Sequence, residues 1–454
     1  MREQGRSRSL LLCVIGFALV TLTAGAAKLL LLSPPQQTVW FITTVCFASA
    51  LWLAAVVLVR RGNTPRGAIW IVLVVAAAMR TITFATQPLL SSDIYRYAWD
   101  GRVQRAGINP YRYVPDVPQL AVLRDQVVFP NINRANYAHT IYPPAAEAIF
   151  AAAALFAPGL YGMRAVMAGF DVLCIGCIAA LLCLMERNPA ELLIYAWLPL
   201  PVWEFAGSGH IDAAATGLIA LALLLSALGG PVPLGITLAA ATFTKFLPGA
   251  VLPVFWRDGR WKLVCVFVVT GIALYLPYLS VGRGVFGFLR GYTVEEGLRN
   301  GHGVVLLDIL SRFGSLPHWA ATAYFVSVLV VLTALSARFA FGVALGYSRS
   351  QHIEGQARRA AILGAVLLAA ISPHYPWYFS WLAPLVCVAP LGSVLWLLAA
   401  APLLAHDSVE SLIVPLTVYV PAGILAVRDL HEARVRTKSA TTDALEKPGW
   451  PRSR

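Results

Sequence analysis

Long apolar runs alternate with short polar connections along most of the chain. Many runs approach the ~20 residues that a helix needs to cross a bilayer, and none shows the alternation of apolar and polar residues typical of membrane β-strands. The pattern therefore predicts an all-α, polytopic transmembrane helical bundle with about 12 to 14 spans. The runs cover residues 10–32, 38–59, 67–86, 145–158, 163–185, 190–206, 209–228, 232–256, 261–281, 318–345, 360–371, 376–405 and 410–427.

Two of these runs differ from a simple span. The run 145–158 is short and ends at a Pro-Gly pair, which favours a half-buried or re-entrant helix. The run 232–256 is interrupted by Lys245, Pro248 and Pro253. This interruption predicts a broken helix or a helical hairpin that lines a cavity.

The composition excludes a water-soluble fold. Hydrophobic residues make up 58% of the chain and charged residues only 13%, so the apolar surface exceeds what a soluble protein can bury. The formal net charge of +13 could attract nucleic acid. However, the basic residues lie mostly in short connections and in both tails, as the positive-inside rule requires. We therefore expect the lipid bilayer as a partner and no nucleic acid.

The charges also orient the chain. The Arg-rich start precedes an apolar run that is too long for a signal peptide, so residues 1–86 are predicted to hold three retained N-terminal spans. The segment 87–144 then forms an outer loop, and the transmembrane bundle follows over 145–428 with a second outer loop at 282–317. Residues 429–454 are expected to be a basic cytoplasmic tail without order.

The first outer loop opens with a charged and aromatic cluster directly after an apolar run. Ser91 and Ser92 follow a proline and favour the start of a helix over about 92–106. We expect this juxtamembrane helix to lie along the membrane surface. Its predicted interfacial anchors are Tyr95, Tyr97 and Trp99.

Four side chains of this helix share one face because their spacing is i, i+3, i+4 and i+7. They are Asp93, Arg96, Tyr97 and Asp100. A carboxylate beside a guanidinium at the mouth of a lipid-lined groove can accept a proton from an attacking alcohol, which makes Asp93 a candidate general base. The alternative is that Asp93 only stabilises the helix start and that Asp100 is a solvated partner of Arg96.

Further polar residues interrupt the apolar pattern near the same face. Glu204, His210 and Asp212 lie at one membrane boundary, where ionisable groups are often functional, although a satisfied interfacial histidine is the simpler alternative. Lys245 needs an anion, for example a lipid phosphate, unless it snorkels to the surface. The other candidates are Tyr142 in the first outer loop, Arg290, Arg299 and His302 in the second, and His374, Tyr375 and Trp377 in a proline-framed turn.

Taken in order, these motifs resemble the GT-C superfamily of integral membrane glycosyltransferases. The likeness is to glycosyltransferase family 87 and to the polyprenyl-phosphate-mannose-dependent mannosyltransferases of actinobacteria, and it extends over about residues 87–390. It rests on Asp93-Ile94-Tyr95-Arg96-Tyr97, Asn109-Pro110-Tyr111, Tyr142-Pro143-Pro144, Glu204 with Gly209-His210-Ile211-Asp212, Lys245-Phe246-Leu247-Pro248 and His374-Tyr375-Pro376-Trp377-Tyr378.

The resemblance implies a reaction at the outer face of a bacterial plasma (inner) membrane. A hexose, with mannose favoured, would pass from a polyprenyl-phosphate-linked donor to a glycan or lipid acceptor of the cell envelope, with inversion and with Asp93 as the general base. The donor's phosphate and sugar would contact Arg96, Lys245, Arg290, Arg299, His302 and His374. The acceptor or sugar would contact Asp100, Tyr142, Glu204, His210, Asp212, Tyr375 and Trp377. Since the outer loop contains no D-x-D motif, no metal or other cofactor is expected.

Two other classes of function fit part of the pattern. A transporter or flippase for lipid-linked sugars would also need a groove, a phosphate-binding cation and broken helices. It should show inverted or parallel halves, and the sequence contains no internal repeat. A noncatalytic scaffold is disfavoured because histidine, lysine, aspartate and aromatic residues concentrate on one side.

Overall fold

The computed structural model describes residues 2–32, 36–62, 64–88, 90–256, 261–298, 301, 303–341, 348–405 and 413–446. Helices account for 79% of the structure, and the described ranges contain no strand. The predicted all-α class is therefore confirmed.

The helices differ widely in length. The N-terminal half contains α1 (Arg2–Leu29), α2 (Gln36–Arg60), α3 (Ile69–Ala85), α4 (Asp93–Arg105), α5 (Pro144–Phe156), α6 (Leu160–Leu184), α7 (Leu193–Ala196), α8 (Pro199–Pro201) and α9 (Asp212–Leu228). The C-terminal half contains α10 (Pro231–Thr244), α11 (Leu252–Phe255), α12 (Trp261–Tyr275), α13 (Leu289–Glu295), α14 (Val305–Ser311), α15 (Ala320–Phe341), α16 (Arg349–Ile371), α17 (Ala383–Val388), α18 (Gly392–Ala400) and α19 (Ile413–Glu446).

Seven helical segments in the described ranges are long and apolar enough to cross a membrane. They are Gly5–Leu29, Gln37–Arg60, Arg66–Ala85, Leu160–Leu184, Trp261–Glu295, Ala320–Phe341 and Ile413–Glu432. Shorter apolar helices accompany them at Pro144–Phe156, Asp212–Leu228, Pro231–Thr244, Pro376–Val388 and Gly392–Ala405. The chain is thus a multi-pass membrane protein built as a helical bundle, in which several segments fall short of the ~20 residues of a full crossing.

The two irregular segments are a short helix and a broken helix in the structure, and the re-entrant placement of the first stays a prediction. Helix α5 has only 13 residues. Helix α10 ends at Thr244, Lys245 is extended, and a 3₁₀ turn follows over Leu247–Val251. The break occurs here because Pro248 lacks the N–H that would bond to the Thr244 carbonyl, and because its ring would clash with that carbonyl in a continuous helix.

A large buried cluster packs α1–α3, α6, α9 and α16–α18 together, and a smaller one encloses α4 against α5 and α6. Tyr97 stacks on Phe150 with ring centroids 4.6 Å apart, and Trp99 contacts Phe129 at 5.5 Å. Both side chains are buried inside the protein. The prediction that Tyr97 and Trp99 anchor α4 at the lipid interface is therefore wrong, because α5 covers Tyr97 and the segment after α4 covers Trp99.

Opposite ends of the bundle have different connections. At one end, the Asn188 side chain donates to the Thr64 carbonyl at 2.5 Å, and Arg349 donates to the Ala227 carbonyl at 3.1 Å. At the other end, Arg164 at the start of α6 donates to the Thr86 carbonyl at 2.6 Å. Since α3 ends and α6 begins at this second end, the 87–143 loop also lies there.

The C-terminal segment differs from the prediction of a disordered tail. Helix α19 continues to Glu446, and residues 447–454 lie outside the described ranges. The Asp429 carboxylate accepts hydrogen bonds from the N–H groups of Gly392 and Ser393 at 3.0 and 2.9 Å. It thereby stabilises the N-terminus of α18 and fixes α19 to the bundle.

Candidate active site

A cavity of about 480 Å³ lies at the end of the bundle that carries the 87–143 loop. Its wall combines both outer loops with the break after α10 and the turn after α16. The lining residues fall in the segments 90–96, 133–143, 245–247, 289–303 and 371–378. The cavity therefore brings together most of the motifs that the sequence spreads over nearly 300 residues.

Asp93 lies on the cavity wall at the first turn of α4. Its N–H donates to Ser91 Oγ at 3.2 Å, so Ser91 rather than Ser92 satisfies this helix start. Its carboxylate Oδ1 accepts a hydrogen bond from Asn133 Nδ2 at 3.1 Å. In the described part of the chain no cation forms a salt bridge with Asp93. Its second oxygen is free to accept a proton from a ligand.

Arg96 combines a structural contact with a free donor. Its Nε donates to both carboxylate oxygens of Asp100 at 2.9 and 3.0 Å, and its Nη1 donates to the Ala138 carbonyl at 3.1 Å. Its Nη2 is buried without a hydrogen-bond partner, and the residue lines the cavity. A buried guanidinium nitrogen without a partner is costly, so Nη2 is suited to an acceptor atom of a bound ligand.

Asp100 forms a salt bridge with Arg96 on the side away from the cavity. The alternative prediction that Asp100 is a solvated partner of Arg96 is wrong, because the carboxylate is not solvated. Its side chain is buried, and burial raises the pKa of its carboxyl while the charge of Arg96 opposes that rise. Thr140 donates to Glu147 at 2.6 Å in the same buried group. Asp100 therefore holds the guanidinium in place and does not line the cavity.

Lys245 has a protein anion as its partner. Its Nζ lies 2.9 Å from Asp212 Oδ2 and 4.4 Å from the centroid of the Tyr378 ring. Asp212 is buried at the start of α9, and Lys245 lines the cavity. The charge that the sequence left without a counterion is thus balanced by Asp212, and the ammonium remains within reach of a ligand.

An aromatic wall forms one side of the cavity and consists of Tyr375, Trp377 and Tyr378. The rings of Tyr375 and Trp377 stack at 4.7 Å with only 10° between their planes. His210 packs against Trp377 at 4.1 Å from behind and is itself held by Glu204, whose Oε2 lies 2.8 Å from His210 Nδ1. Flat aromatic faces of this kind suit the C–H surface of a sugar.

Helix α13 covers the cavity from the second outer loop. Tyr292 and Tyr378 join their hydroxyl groups at 2.6 Å, and Glu296 lies 3.9 Å from His374. Gly287, before α13, has a positive φ of 52°, and a Cβ on it would lie 1.8 Å from the Thr140 carbonyl oxygen. Only glycine allows the two outer loops to approach this closely.

The structure places seven of the predicted site residues on the cavity wall: Asp93, Arg96, Tyr142, Lys245, His374, Tyr375 and Trp377. Four others are buried behind the wall: Asp100, Glu204, His210 and Asp212. Arg290 is exposed and borders a separate groove with Thr293, Val294, Leu298 and Phe325. Arg299 and His302 lie outside the described residues.

Several lining residues were not singled out from the sequence, namely Asn133, Arg134, His139, Tyr292 and Glu296. Burial lowers the pKa of His139, and the nearby charge of Arg96 adds to this effect. No local signal separates Asn133 from the exposed Asn131 two positions earlier. Only its contact with Asp93, 40 residues away, identifies it.

In the ranges that the structure describes, no three histidine, cysteine, aspartate or glutamate side chains cluster as metal ligands would. Arg96, Arg134 and Lys245 are the arginine and lysine side chains on the described part of the cavity wall. The expectation that the reaction requires no metal stays a prediction.

A known protein family matches the N-terminal part of the chain. The model of the MptA_B family, described as alpha-(1->6)-mannopyranosyltransferase, N-terminal domain, matches residues 4–257. This region covers more than half of the chain and includes Asp93, Arg96 and Lys245. No curated protein and no solved structure matches the chain significantly.

Proposed function

Since the chain belongs to the MptA_B family and is a membrane mannosyltransferase of the GT-C kind, we propose that its donor is a polyprenyl-phosphate-linked mannose. The acceptor is a glycan or lipid of the bacterial cell envelope. The observation that carries the proposal is the placement of Asp93, with one free carboxylate oxygen, in the same cavity as two cations and an aromatic wall.

Asp93 acts as the general base. It takes the proton of an acceptor hydroxyl while that oxygen attacks the anomeric carbon of mannose from the side opposite the phosphate. The bond from the anomeric carbon to the phosphate oxygen breaks, and the electron pair leaves with the polyprenyl phosphate. Attack and departure on opposite sides invert the configuration.

Arg96 and Lys245 stabilise the charge that develops on the leaving phosphate. The free Nη2 of Arg96 donates a hydrogen bond, and its position is fixed in advance by Asp100 and the Ala138 carbonyl. Lys245 contributes a compact positive charge beside Asp212. The isoprenoid tail lies along the apolar part of the wall, which includes Phe246, Leu247 and Ile371.

The orientation with the cavity outside the cell rests on the charges at the two ends. Connections at the far end carry arginines such as Arg66 and Arg349 in short loops. Four arginines of the 87–143 loop form salt bridges with carboxylates, namely Arg96–Asp100, Arg102–Asp125, Arg124–Asp116 and Arg134–Glu295. Arg187 at the far end is paired with Glu191 in the same way, so the orientation rests on the basic residues of the short connections and not on their pairing.

The experiment that tests the proposal measures mannose transfer by the purified full chain in detergent, with a synthetic polyprenyl-phosphate mannose as donor. Asp93→Asn should lower turnover about 100-fold or more while the donor still binds, because the substituted amide cannot accept the proton. Asp116→Asn in the same loop is the matched control, since that carboxylate pairs with Arg124 at 3.0 Å and does not line the cavity.

Near-normal transfer by Asp93→Asn would refute the assignment of the base. Movement of the labelled donor across a vesicle membrane, without formation of free polyprenyl phosphate, would refute the assignment of this lipid as the donor.

A further inference from the structure

Asn133 is the protein group that contacts the carboxylate of Asp93. Its Nδ2 donates to Asp93 Oδ1 at 3.1 Å and to Ser92 Oγ at 3.2 Å. A carboxylate only accepts hydrogen bonds when ionised, so the contact fixes which end of the amide faces Asp93. The amide therefore occupies one oxygen of Asp93 and leaves the other directed to a ligand.

The residue after Asn133 connects this contact to the cover of the cavity. Arg134 has a positive φ of 55°, a conformation that non-glycine residues adopt only when the surroundings enforce it. Its Nε donates to Glu295 Oε2 at 2.6 Å, and the Tyr137 hydroxyl donates to Glu295 Oε1 at 2.9 Å. Glu295 is the last residue of α13, so the backbone that carries Asn133 is tied to that helix.

We propose that Asn133 is a positioning residue for Asp93 and that the Arg134–Glu295 ion pair places it when α13 covers the cavity. The inference rests on the proposed function, because it takes Asp93 as the base. It goes further by linking the two outer loops to the base. When α13 covers the cavity, the Asn133 amide aligns the Asp93 carboxylate. When α13 does not cover the cavity, the amide is not held against the carboxylate.

An amide that donates to a carboxylate favours its ionised form. The wall also carries the charged or histidine side chains of Arg96, Arg134, His139, Lys245, Glu296 and His374. Three tyrosines interact electrostatically with Asp93, namely Tyr97, Tyr142 and Tyr378. Removal of Asn133 leaves these groups in place. A change of the pH profile in the Asn133 variant therefore reports the amide itself.

The test compares the pH dependence of kcat/KM for the purified full chain with that of Asn133→Ala. We expect the acidic limb to move to higher pH, because the carboxylate loses a hydrogen-bond donor that favours its ionised form. At the optimal pH we expect kcat to fall about 10-fold while KM changes by less than about 2-fold, because alignment of the base matters mainly in the transition state. Asn131→Ala is the matched control, since Asn131 donates only to the Val127 carbonyl at 2.9 Å and is exposed.

A second variant tests the connection to α13. Glu295 does not line the cavity, so Glu295→Ala should reproduce the pH shift in reduced form, and its effect should not add to that of Asn133→Ala. The control is Glu354→Ala, which breaks the Arg358 pair on α16. Fully additive effects would overturn the link to α13.

The outcomes separate this inference from the proposed function. If Asp93→Asn retains turnover, the base assignment itself fails. If Asp93→Asn is inactive but Asn133→Ala keeps both the wild-type pH profile and the wild-type kcat, only the positioning role fails. Donor titration on each preparation shows that the variant is folded, and Asn133→Ser, which keeps a short polar side chain, serves as the alternative should the alanine variant not fold.

Discussion

The Arg96–Asp100 pair allows the structural and the ligand-binding roles of one arginine to be separated. In Arg96→Met the guanidinium is lost and Asp100 remains buried without its cation. In the double variant Arg96→Met with Asp100→Leu, both charges are removed together. We expect the single variant to be unstable and the double variant to be stable, while both lose donor affinity.

The magnitude follows from the environment of Asp100. Once its cation is gone, the buried carboxyl escapes desolvation by taking up a proton, which costs about 1.4 kcal/mol for each pH unit above the ordinary pKa. With the ordinary value of 3.8, the cost is about 4 kcal/mol at pH 7 and about 1.6 kcal/mol at pH 5, in the range for broken buried pairs. Replacement of both charges by apolar side chains should leave the free energy of unfolding within about 1 kcal/mol of wild type.

The sign of the pH dependence is therefore fixed. In Arg96→Met the pKa of Asp100 in the folded state lies above its value in the unfolded chain. The contribution of Asp100 to the stability of this variant is then fully present below pH 3.8 and is lost as the pH rises toward the folded-state pKa. Equilibrium unfolding in detergent at pH 5 and pH 7 measures this difference.

Donor affinity is measured on the same preparations. Loss of a hydrogen bond from Nη2 to a phosphate should weaken donor binding about 10- to 100-fold in both variants, since such bonds contribute about 1.5–3 kcal/mol. Two results would refute the reasoning: a double variant as unstable as the single variant, or a double variant that binds the donor as tightly as wild type.

Two further predictions concern other residues of the cavity wall. Lys245→Met should weaken donor binding and also destabilise the chain, because Asp212 would be left buried without its cation. The control is Lys262→Met on exposed α12, which should have neither effect. If a titration shows unchanged donor affinity in Lys245→Met, Lys245 has a structural role alone. Trp377→Ala should raise the KM for the acceptor by up to about 10-fold, since stacking contributes about 0.5–1.5 kcal/mol. Trp70→Ala on the exposed face of α3 is its control, and an equal effect of both substitutions on KM would contradict a sugar contact at Trp377.

The features that the sequence predicted correctly are governed by neighbouring residues. Helix α4 was expected over about 92–106 and spans Asp93–Arg105, because serines and a proline mark its start. The interruption after α10 follows from Pro248 in the same way. The long spans follow from the length of their apolar runs alone.

The features that were missed depend on residues far apart in the sequence. Tyr97 and Trp99 were assigned to the lipid interface because aromatic side chains fill both interfaces and cores, and only the fold of the 87–143 loop decides between them. Lys245 was expected to bind a lipid anion, yet Asp212, 33 positions earlier, forms a salt bridge with it. Asn133 was missed for the same reason, since its partner Asp93 lies in another element.

The ion pairs on the cavity wall affect how readily a phosphate product is released from the cavity. In the described part of the wall, the three cations Arg96, Lys245 and Arg134 each have a carboxylate beside them, namely Asp100, Asp212 and Glu295. A phosphate that gains negative charge on leaving its sugar meets little surplus positive charge that would retain it. With the proposed donor, the wall would thus stabilise the departing phosphate during bond cleavage and still let the lipid carrier diffuse back into the bilayer.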